Sequence, residues 1–173
     1  MRFAPLFPAT SASQKSFILC PRGVNAPRPV TTTRLIPIAF ERKIYNKGKL
    51  VIARVSGRVK GQELVDYVFW LVDSHNIGEI KSDYDQVVYV ENLESLNIEE
   101  DDIRRITEIS TELGQGRGKF RTAIIAVSPN EIELGNLYRS LVKDVGREVE
   151  LCSNFEQAFS WLGCENPEPE KYQ

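Results

Sequence analysis

The stretch TAIIAVSPNE, residues 122–131, decides the fold of this 173-residue chain. Its first six residues form a short, mostly apolar run that is typical of a strand buried on both faces of a parallel sheet. Ser128, Pro129 and Glu131 then form a helix start, with a capping hydroxyl, a proline at the first helical position and an acid three residues after the cap. A buried strand that runs directly into a capped helix is the unit from which parallel α/β sheets are built.

The same alternation continues along the chain in both directions. Residues 87–90 form another β-branched strand, and a helix capped by Asn154 follows a strand at residues 148–152. The domain opens with a hairpin that turns at residues 46–48. The predicted order is therefore β-β-α-β-α-β-α-β-α, an α/β domain with a mostly parallel sheet and an antiparallel edge strand from the hairpin. The other predicted elements are strands at residues 36–45 and 50–55 and helices at residues 61–73, from Asn97 to Gly114, and from Ser128 to Gly146.

Three segments differ in composition. Residues 1–33 are rich in Ser, Thr, Pro, Ala and Arg and lack sustained periodicity, so they are predicted to be disordered or targeting-like. Residues 34–163 are predicted to form the domain, and residues 164–173 a loose acidic tail. Residues 1–39 carry five bases and no acid, whereas the remainder carries 17 bases and 24 acids. An acidic body of this kind argues against nucleic acid as a partner.

Cysteine usage and hydropathy indicate the compartment. Cys20, Cys152 and Cys164 form neither a CxxC pair nor an even disulfide set, which favours a reducing, cytoplasmic setting and argues against a zinc site. No apolar run approaches the roughly 18 residues of a membrane helix, so the protein is predicted not to be transmembrane. The basic, acid-free residues 1–33 leave organelle targeting open as an alternative, alongside a leader translated from an early start codon.

Two features could suggest catalysis, and both have simpler explanations. His75, the single histidine, lies just past a predicted helix, where it is expected to be exposed, and no G-x-S-x-G nucleophile elbow accompanies it. The glycine-rich segment GQGRGK, residues 114–119, follows a helix and precedes a strand, whereas a phosphate loop follows a strand and opens a helix. We therefore expect no catalytic residue, no cofactor and no metal site, and classify the protein as a non-enzyme.

The acidic segment EEDD, residues 99–102, is the most distinctive charged feature. Asn97 is predicted to cap the following helix, with Glu100 closing the capping box. Acids at a helix N-terminus stabilise the helix by about 0.3–1 kcal/mol each, which accounts for them without a function.

Several aromatic residues stand at the inward positions of predicted helices. They are predicted to lie in or near the core, and a ligand cavity lined by some of them is left open as an alternative. These residues are Phe69, Trp70, Phe155, Phe159 and Trp161.

Three segments give the sequence a resemblance to a known family over about residues 36–163. They are LVIARVSGRV at residues 50–59, AIIAVS at residues 123–128 and VELCSNFEQAFSWL at residues 149–162. With these segments the chain resembles the SpoIIAA-like, or STAS-type, family, and within it the stand-alone branch grouped with STAS and Sec14 domains. The resemblance implies a SpoIIAA-like fold and a binding or regulatory role without catalysis.

The resemblance also implies a place for a partner. STAS-type anti-anti-sigma proteins bind a kinase and are switched by phosphorylation of a serine in a D-S-S-G-like segment after the third strand. That segment falls on Glu99, Glu100, Asp101 and Asp102, so the phosphorylatable hydroxyl is missing here. The leading hypothesis is a STAS-like regulatory module without the switch, whose partner surface comprises Asn97 and these four acids.

A Sec14-like carrier of a small lipophilic ligand is the alternative function. The expected partner is accordingly a protein or a small lipophilic molecule, with no nucleic acid, and a homodimer is left open.

Overall fold

The computed structural model describes residues 39–113, 120–143 and 146–171. Its elements alternate as the sequence predicts, so the predicted α/β order is confirmed. Within these ranges, none of the helices combines the length and apolar character needed to cross a bilayer. The strands are β1 (Phe40–Tyr45), β2 (Leu50–Lys60), β3 (Asp85–Asn97), β4 (Phe120–Ile125) and β5 (Arg147–Cys152). The helices are α1 (Gly61–Asn76), α2 (Glu100–Leu113), α3 (Pro129–Val142) and α4 (Phe155–Leu162).

The five described strands form one sheet in the order β1-β2-β3-β4-β5. β1 pairs with β2 in antiparallel register, with Phe40 opposite Val55, and β2 to β5 are parallel. The predicted antiparallel edge strand is thus confirmed. The hairpin turn requires Gly48, because its φ is +90° and a Cβ atom there would collide with the carbonyl oxygen of Glu79.

Helices cover the two faces of the sheet unequally. On one face, Leu50, Val87 and Ala123 pack in a single cluster with Ala158 and Phe159 of α4. Because side chains alternate along a strand, the intervening residues point to the opposite face. There α1, α2 and α3 join in another apolar cluster. These three helices therefore enclose the same side of the central strands.

β3 is much longer than predicted. The sequence predicts a strand at residues 87–90 followed by a loop, whereas β3 continues to Asn97 alongside β2. The prediction was wrong because residues 91–97 mix acids and amides with isolated leucines, a pattern that resembles a loop. They form a two-stranded extension beyond β4, in which Leu93 and Leu96 pack on the core.

Two side chains on α1 differ from their predicted positions. Phe69, predicted to lie in or near the core, is 44% exposed. His75, predicted to be exposed, is half-buried, and its Nδ1 atom lies 3.1 Å from the carbonyl oxygen of Ile80. The other aromatic residues predicted near the core are buried or half-buried: Trp70, Phe155, Phe159 and Trp161.

Some predictions concern residues outside the described ranges. They are the disordered or targeting-like segment 1–33, the boundary of the domain at residue 34, and the glycine-rich segment 114–119. Each of these stays a prediction.

Residues 164–171, which the sequence predicts to be loose, contact the edge of the sheet through Glu168. Its carboxylate accepts hydrogen bonds from the Tyr45 hydroxyl at 2.7 Å and from the Lys43 ammonium at 2.9 Å. The hydrogen bond from Tyr45, followed by that from Lys43, lowers the pKa of Glu168 below its ordinary value of 4.5. The ionised carboxylate therefore connects this segment to β1.

We predict that Glu168→Gln releases residues 164–171 from β1. Because the folded-state pKa of Glu168 is depressed, the contact contributes fully above pH 4.5 and is lost as the pH falls through the lower folded value. Amide protection of these residues, measured by hydrogen exchange, should fall about two- to fivefold in the variant at neutral pH. The wild-type protein should lose the same amide protection of residues 164–171 in acid, because protonation of Glu168 removes the charge that holds the contact.

Glu170→Gln is the matched control, because Glu170 is a neighbouring acid that is exposed. Equal loss of protection in both variants would contradict the prediction.

Candidate functional site

A cavity of about 160 Å³ lies between the sheet and the helices α1, α2 and α3. Val88 of β3 and Ile124 of β4 form the centre of its floor, and Ile103 and Ile106 of α2 cover it. The cavity is partly open to solvent, and its lining is mostly apolar. Apolar spaces of this kind, with a few converging polar groups, are the usual sites of small ligands.

The central strands show where packing is incomplete. On the α4 face, Val87 and Ala123 are both 0% exposed. Their neighbours Val88 and Ile124, on the α2 face, are half-buried. Side chains at the centre of a parallel sheet beneath helices are normally fully packed. The remaining accessible surface of these two residues is therefore the floor of the cavity.

The cavity exists because α2 packs on its neighbouring helices. Ile103 and Ile106 share one apolar cluster with Val65 and Val68 of α1, and partly buried residues of α3 pack against that cluster. α2 thus lies between α1 and α3 on this face of the sheet. The space beneath it, over β3 and β4, stays unfilled.

The parallel register arranges the floor of the cavity in layers. At the amino-terminal ends of the strands the layers contain polar side chains, and further along they are apolar. The first layer pairs Phe120 with Arg147, the second pairs Gln86 with Thr122, and the third pairs Val88 with Ile124. The cavity therefore has a polar end and an apolar end.

Tyr67, Gln86 and Thr122 form a buried polar network at the polar end. The Gln86 amide donates to the Tyr67 hydroxyl at 2.6 Å, and the Thr122 hydroxyl donates to Gln86 Oε1 at 3.4 Å. Burial raises the pKa of the Tyr67 phenol well above its ordinary value of 10.0, so the phenol is neutral at physiological pH. The network can orient a ligand by hydrogen bonding without carrying charge.

Arg147 is the cationic group among the lining residues that the structure describes. Its guanidinium donates to the Tyr138 hydroxyl at 3.0 Å and to the Ser110 carbonyl oxygen at 2.9 Å, and it lies 4.3 Å from the centre of the Phe120 ring. These contacts hold the side chain between α2 and α3. Among the residues that the structure describes, no carboxylate forms an ion pair with Arg147.

The predicted partner-surface residues lie together around the start of α2, but Asn97 does not cap this helix. Asn97 is the last residue of β3, and the Asp102 carboxylate instead accepts the Glu99 backbone N–H at 3.0 Å. Glu100, predicted to close the capping box, pairs with Arg104. The predicted cap was wrong because the extension of β3 moves the helix start further along the chain.

The acids at the start of α2 differ in what they contact. Asp102 lies against Gly61 at the start of α1, where a Cβ atom would collide with its carboxylate. Glu99 and Asp101 are exposed. The hydrogen bond of Asp102 and the ion pair of Glu100 are explained by helix stability alone. The partner surface formed by Asn97 and residues 99–102 stays a prediction.

Other reactive side chains lie outside the cavity lining. His75 bonds to a backbone carbonyl, as described above. Cys152 and Cys164 are free thiols, and burial raises the pKa of each. Within the described ranges, no three His, Cys, Asp or Glu side chains are grouped closely enough to hold a metal ion.

The sequence reasoning missed Gln86, Thr122 and Arg147. Gln86 and Thr122 did leave a signal, because each is a polar residue at an inward position of a buried strand, where it requires a hydrogen-bond partner. Arg147 left none, since charged residues are ordinary on an edge strand such as β5.

Comparison with known proteins gives structural likenesses alone. No family model matches the sequence, and no curated protein matches it. One similar solved structure is an uncharacterized protein of the DUF3478 family with a SpoIIAA-like fold from Shewanella loihica PV-4, at 13% identity over 72% of this chain and 92% of that chain, with a TM-score of 0.47. Another is the anti-sigma factor antagonist SpoIIAA in its unphosphorylated form, at 12% identity over 74% of this chain and 100% of that chain, with a TM-score of 0.46. Both are therefore reported as likenesses alone, and they say nothing of a ligand or a partner.

We predict that Asp102→Ala lowers the free energy of unfolding by about 1 kcal/mol, because it removes the acceptor of the Glu99 N–H. Asp101→Ala should lower it by less than about 0.5 kcal/mol, since it removes an exposed charge near the helix N-terminus. Urea unfolding measures both values. The two variants remove the same charge from the same turn, so equal losses would show that the hydrogen bond contributes nothing beyond the helix dipole.

Proposed function

We propose that this domain is a non-catalytic binding module that holds one small lipophilic molecule in the cavity beneath α2. The observation that carries the proposal is the cavity itself, with about 160 Å³ of mostly apolar space. Cavities of about 150 Å³ lined by aliphatic and aromatic side chains bind molecules the size of benzene. The space therefore suits a compact ring or a short aliphatic chain.

Apolar surface that stays accessible to water inside a fold is costly. Val88 and Ile124 at the floor of the cavity keep part of their surface accessible, and the cavity is partly open to solvent. Each Å² of this apolar surface that a ligand covers would contribute about 25 cal/mol to binding. A bound apolar molecule would also supply the contacts that Val88 and Ile124 lack on the α2 face.

The polar groups of the cavity support binding rather than catalysis. Tyr67 is kept neutral by burial, and the amide of Gln86 and the hydroxyl of Thr122 do not exchange protons as general acids or bases near neutral pH. His75, the residue best suited to acid–base chemistry, is not part of the lining. The function of these groups in the proposal is to orient the ligand.

A regulatory protein partner at the start of α2 is the second hypothesis. Glu99 and Asp101 present exposed negative charge there, in place of a phosphorylatable serine. The two roles are compatible, because the cover of the cavity and the acidic turn belong to the same helix. We also propose a cytoplasmic location, because the free cysteines fit a reducing compartment.

We predict that 1-hexanol binds the wild-type protein and that Ile124→Phe weakens this binding about tenfold or more, because the larger ring occupies the floor of the cavity. An amide-resolved NMR titration measures the affinity and shows whether the resonances of lining residues shift. Ile132→Phe is the matched control: the same replacement is made on α3, where Ile132 is 40% exposed and lies outside the lining.

A second measurement concerns the natural ligand. Organic extraction of protein purified from its host, followed by mass spectrometry, should recover a lipophilic molecule from wild type and Ile132→Phe and much less from Ile124→Phe. The proposal fails if 1-hexanol does not bind the wild type, or if both variants lose binding equally.

A further inference from the structure

Glu131 and Arg147 are the two charged residues of the described cavity lining. They differ in how far their charges are already engaged by neighbouring groups. Glu131 belongs to the capping box of α3, and its Oε2 atom accepts the backbone N–H groups of Val127 at 3.0 Å and Ser128 at 3.2 Å. Arg147 donates instead to neutral oxygen atoms of α2 and α3. The cation therefore lacks a counter-ion within the described part of the chain, whereas the charge of Glu131 is engaged by the helix start.

We propose that the ligand of the cavity is an amphiphile with a single carboxylate that pairs with Arg147. This inference rests on the proposed function and adds the chemical class of the ligand. A guanidinium carries five N–H donors in a planar fork that matches a carboxylate. Two donors of Arg147 are used in the bonds to Tyr138 and Ser110, so the fork retains donors for a ligand.

The order of side chains along the strands sets the orientation of the ligand. Arg147 lies opposite Phe120 at the amino-terminal end of β4, and the buried polar network occupies the next layer. Val88 and Ile124 lie beyond it. From Phe120 to Ala126 the chain advances six residues, or about 20 Å, along the cavity floor. The carboxylate therefore lies at the Arg147 end, and the apolar body extends over Val88 and Ile124.

The charge and the geometry of the head group favour a carboxylate over other classes of ligand. A cationic head would be repelled by Arg147, and a neutral head would leave this half-buried charge without a counter-ion among the described residues. A phosphate dianion would bring a second negative charge to a lining with one described cation. A carboxylate matches that cation in charge and in the geometry of its two oxygen atoms.

The test compares hexanoate with 1-hexanol, two ligands with the same number of carbons and different heads. At neutral pH, hexanoate should bind wild type about tenfold or more tightly than 1-hexanol. Arg147→Gln should weaken hexanoate binding about tenfold or more and change 1-hexanol binding less than about twofold. Arg147→Lys should restore part of the hexanoate affinity, since it keeps the charge and loses the fork.

Arg139→Gln is the matched control, because Arg139 lies on α3, pairs with Glu150 at 3.7 Å and is outside the lining. Binding of 1-hexanol to Arg147→Gln shows that this variant keeps the cavity. If neither ligand binds wild type, the proposed function fails and the inference fails with it. If 1-hexanol binds and hexanoate binds no better, or if Arg139→Gln lowers hexanoate affinity as much as Arg147→Gln, the carboxylate assignment is overturned while the proposed function stands.

Discussion

The register between β3 and β4 is the constraint on which both faces of the sheet depend. It places Asp85 opposite Arg121 and, one residue later, Gln86 opposite Thr122. Because side chains alternate, the Asp85–Arg121 ion pair, at 2.7 Å, faces α4, while the Gln86–Thr122 pair faces the cavity. Arg121 also donates to the carbonyl oxygen of Leu162 at 2.8 Å and so fixes the end of α4. A slip of β3 by one residue would turn Asp85 toward the cavity and Gln86 toward α4, and it would separate both residues from their partners on β4.

The position of α2 decides how the helix-covered face is used. Its buried isoleucines pack with α1, so the helix covers the central strands without filling the space above them. The exposed acids Glu99 and Asp101 lie at the amino-terminal end of the same helix, so both hypotheses about function concern one part of the fold. The α/β fold by itself does not choose between them, since one fold serves many functions. The cavity has a polar end at Arg147 and an apolar end around Ile124. This arrangement is the feature that favours a ligand.

The sequence by itself determined the features whose physical cause lies within a few residues. Ser128 caps α3 and its hydroxyl accepts the Glu131 N–H at 3.3 Å, as the capping pattern predicts. Asn154 caps α4 in the same way, accepting the Gln157 N–H at 2.8 Å. Gly163 ends α4 with a φ of +63°, which glycine adopts without strain. Helix caps and short continuous apolar runs also predicted the order of elements and the parallel sheet, because neighbouring residues are enough to specify them.

The tertiary structure alone decided the features that depend on distant residues. The extension of β3 to Asn97 depends on pairing with β2, and that pairing displaced the cap of α2 from Asn97 to the residues that follow. The cavity depends on how far α2 stands from the sheet, which is set by its packing against α1 and α3. Arg147 becomes part of the lining through its bond to Ser110, 37 residues earlier in the chain. No local pattern encodes these distances, because they result from the packing of whole elements against one another.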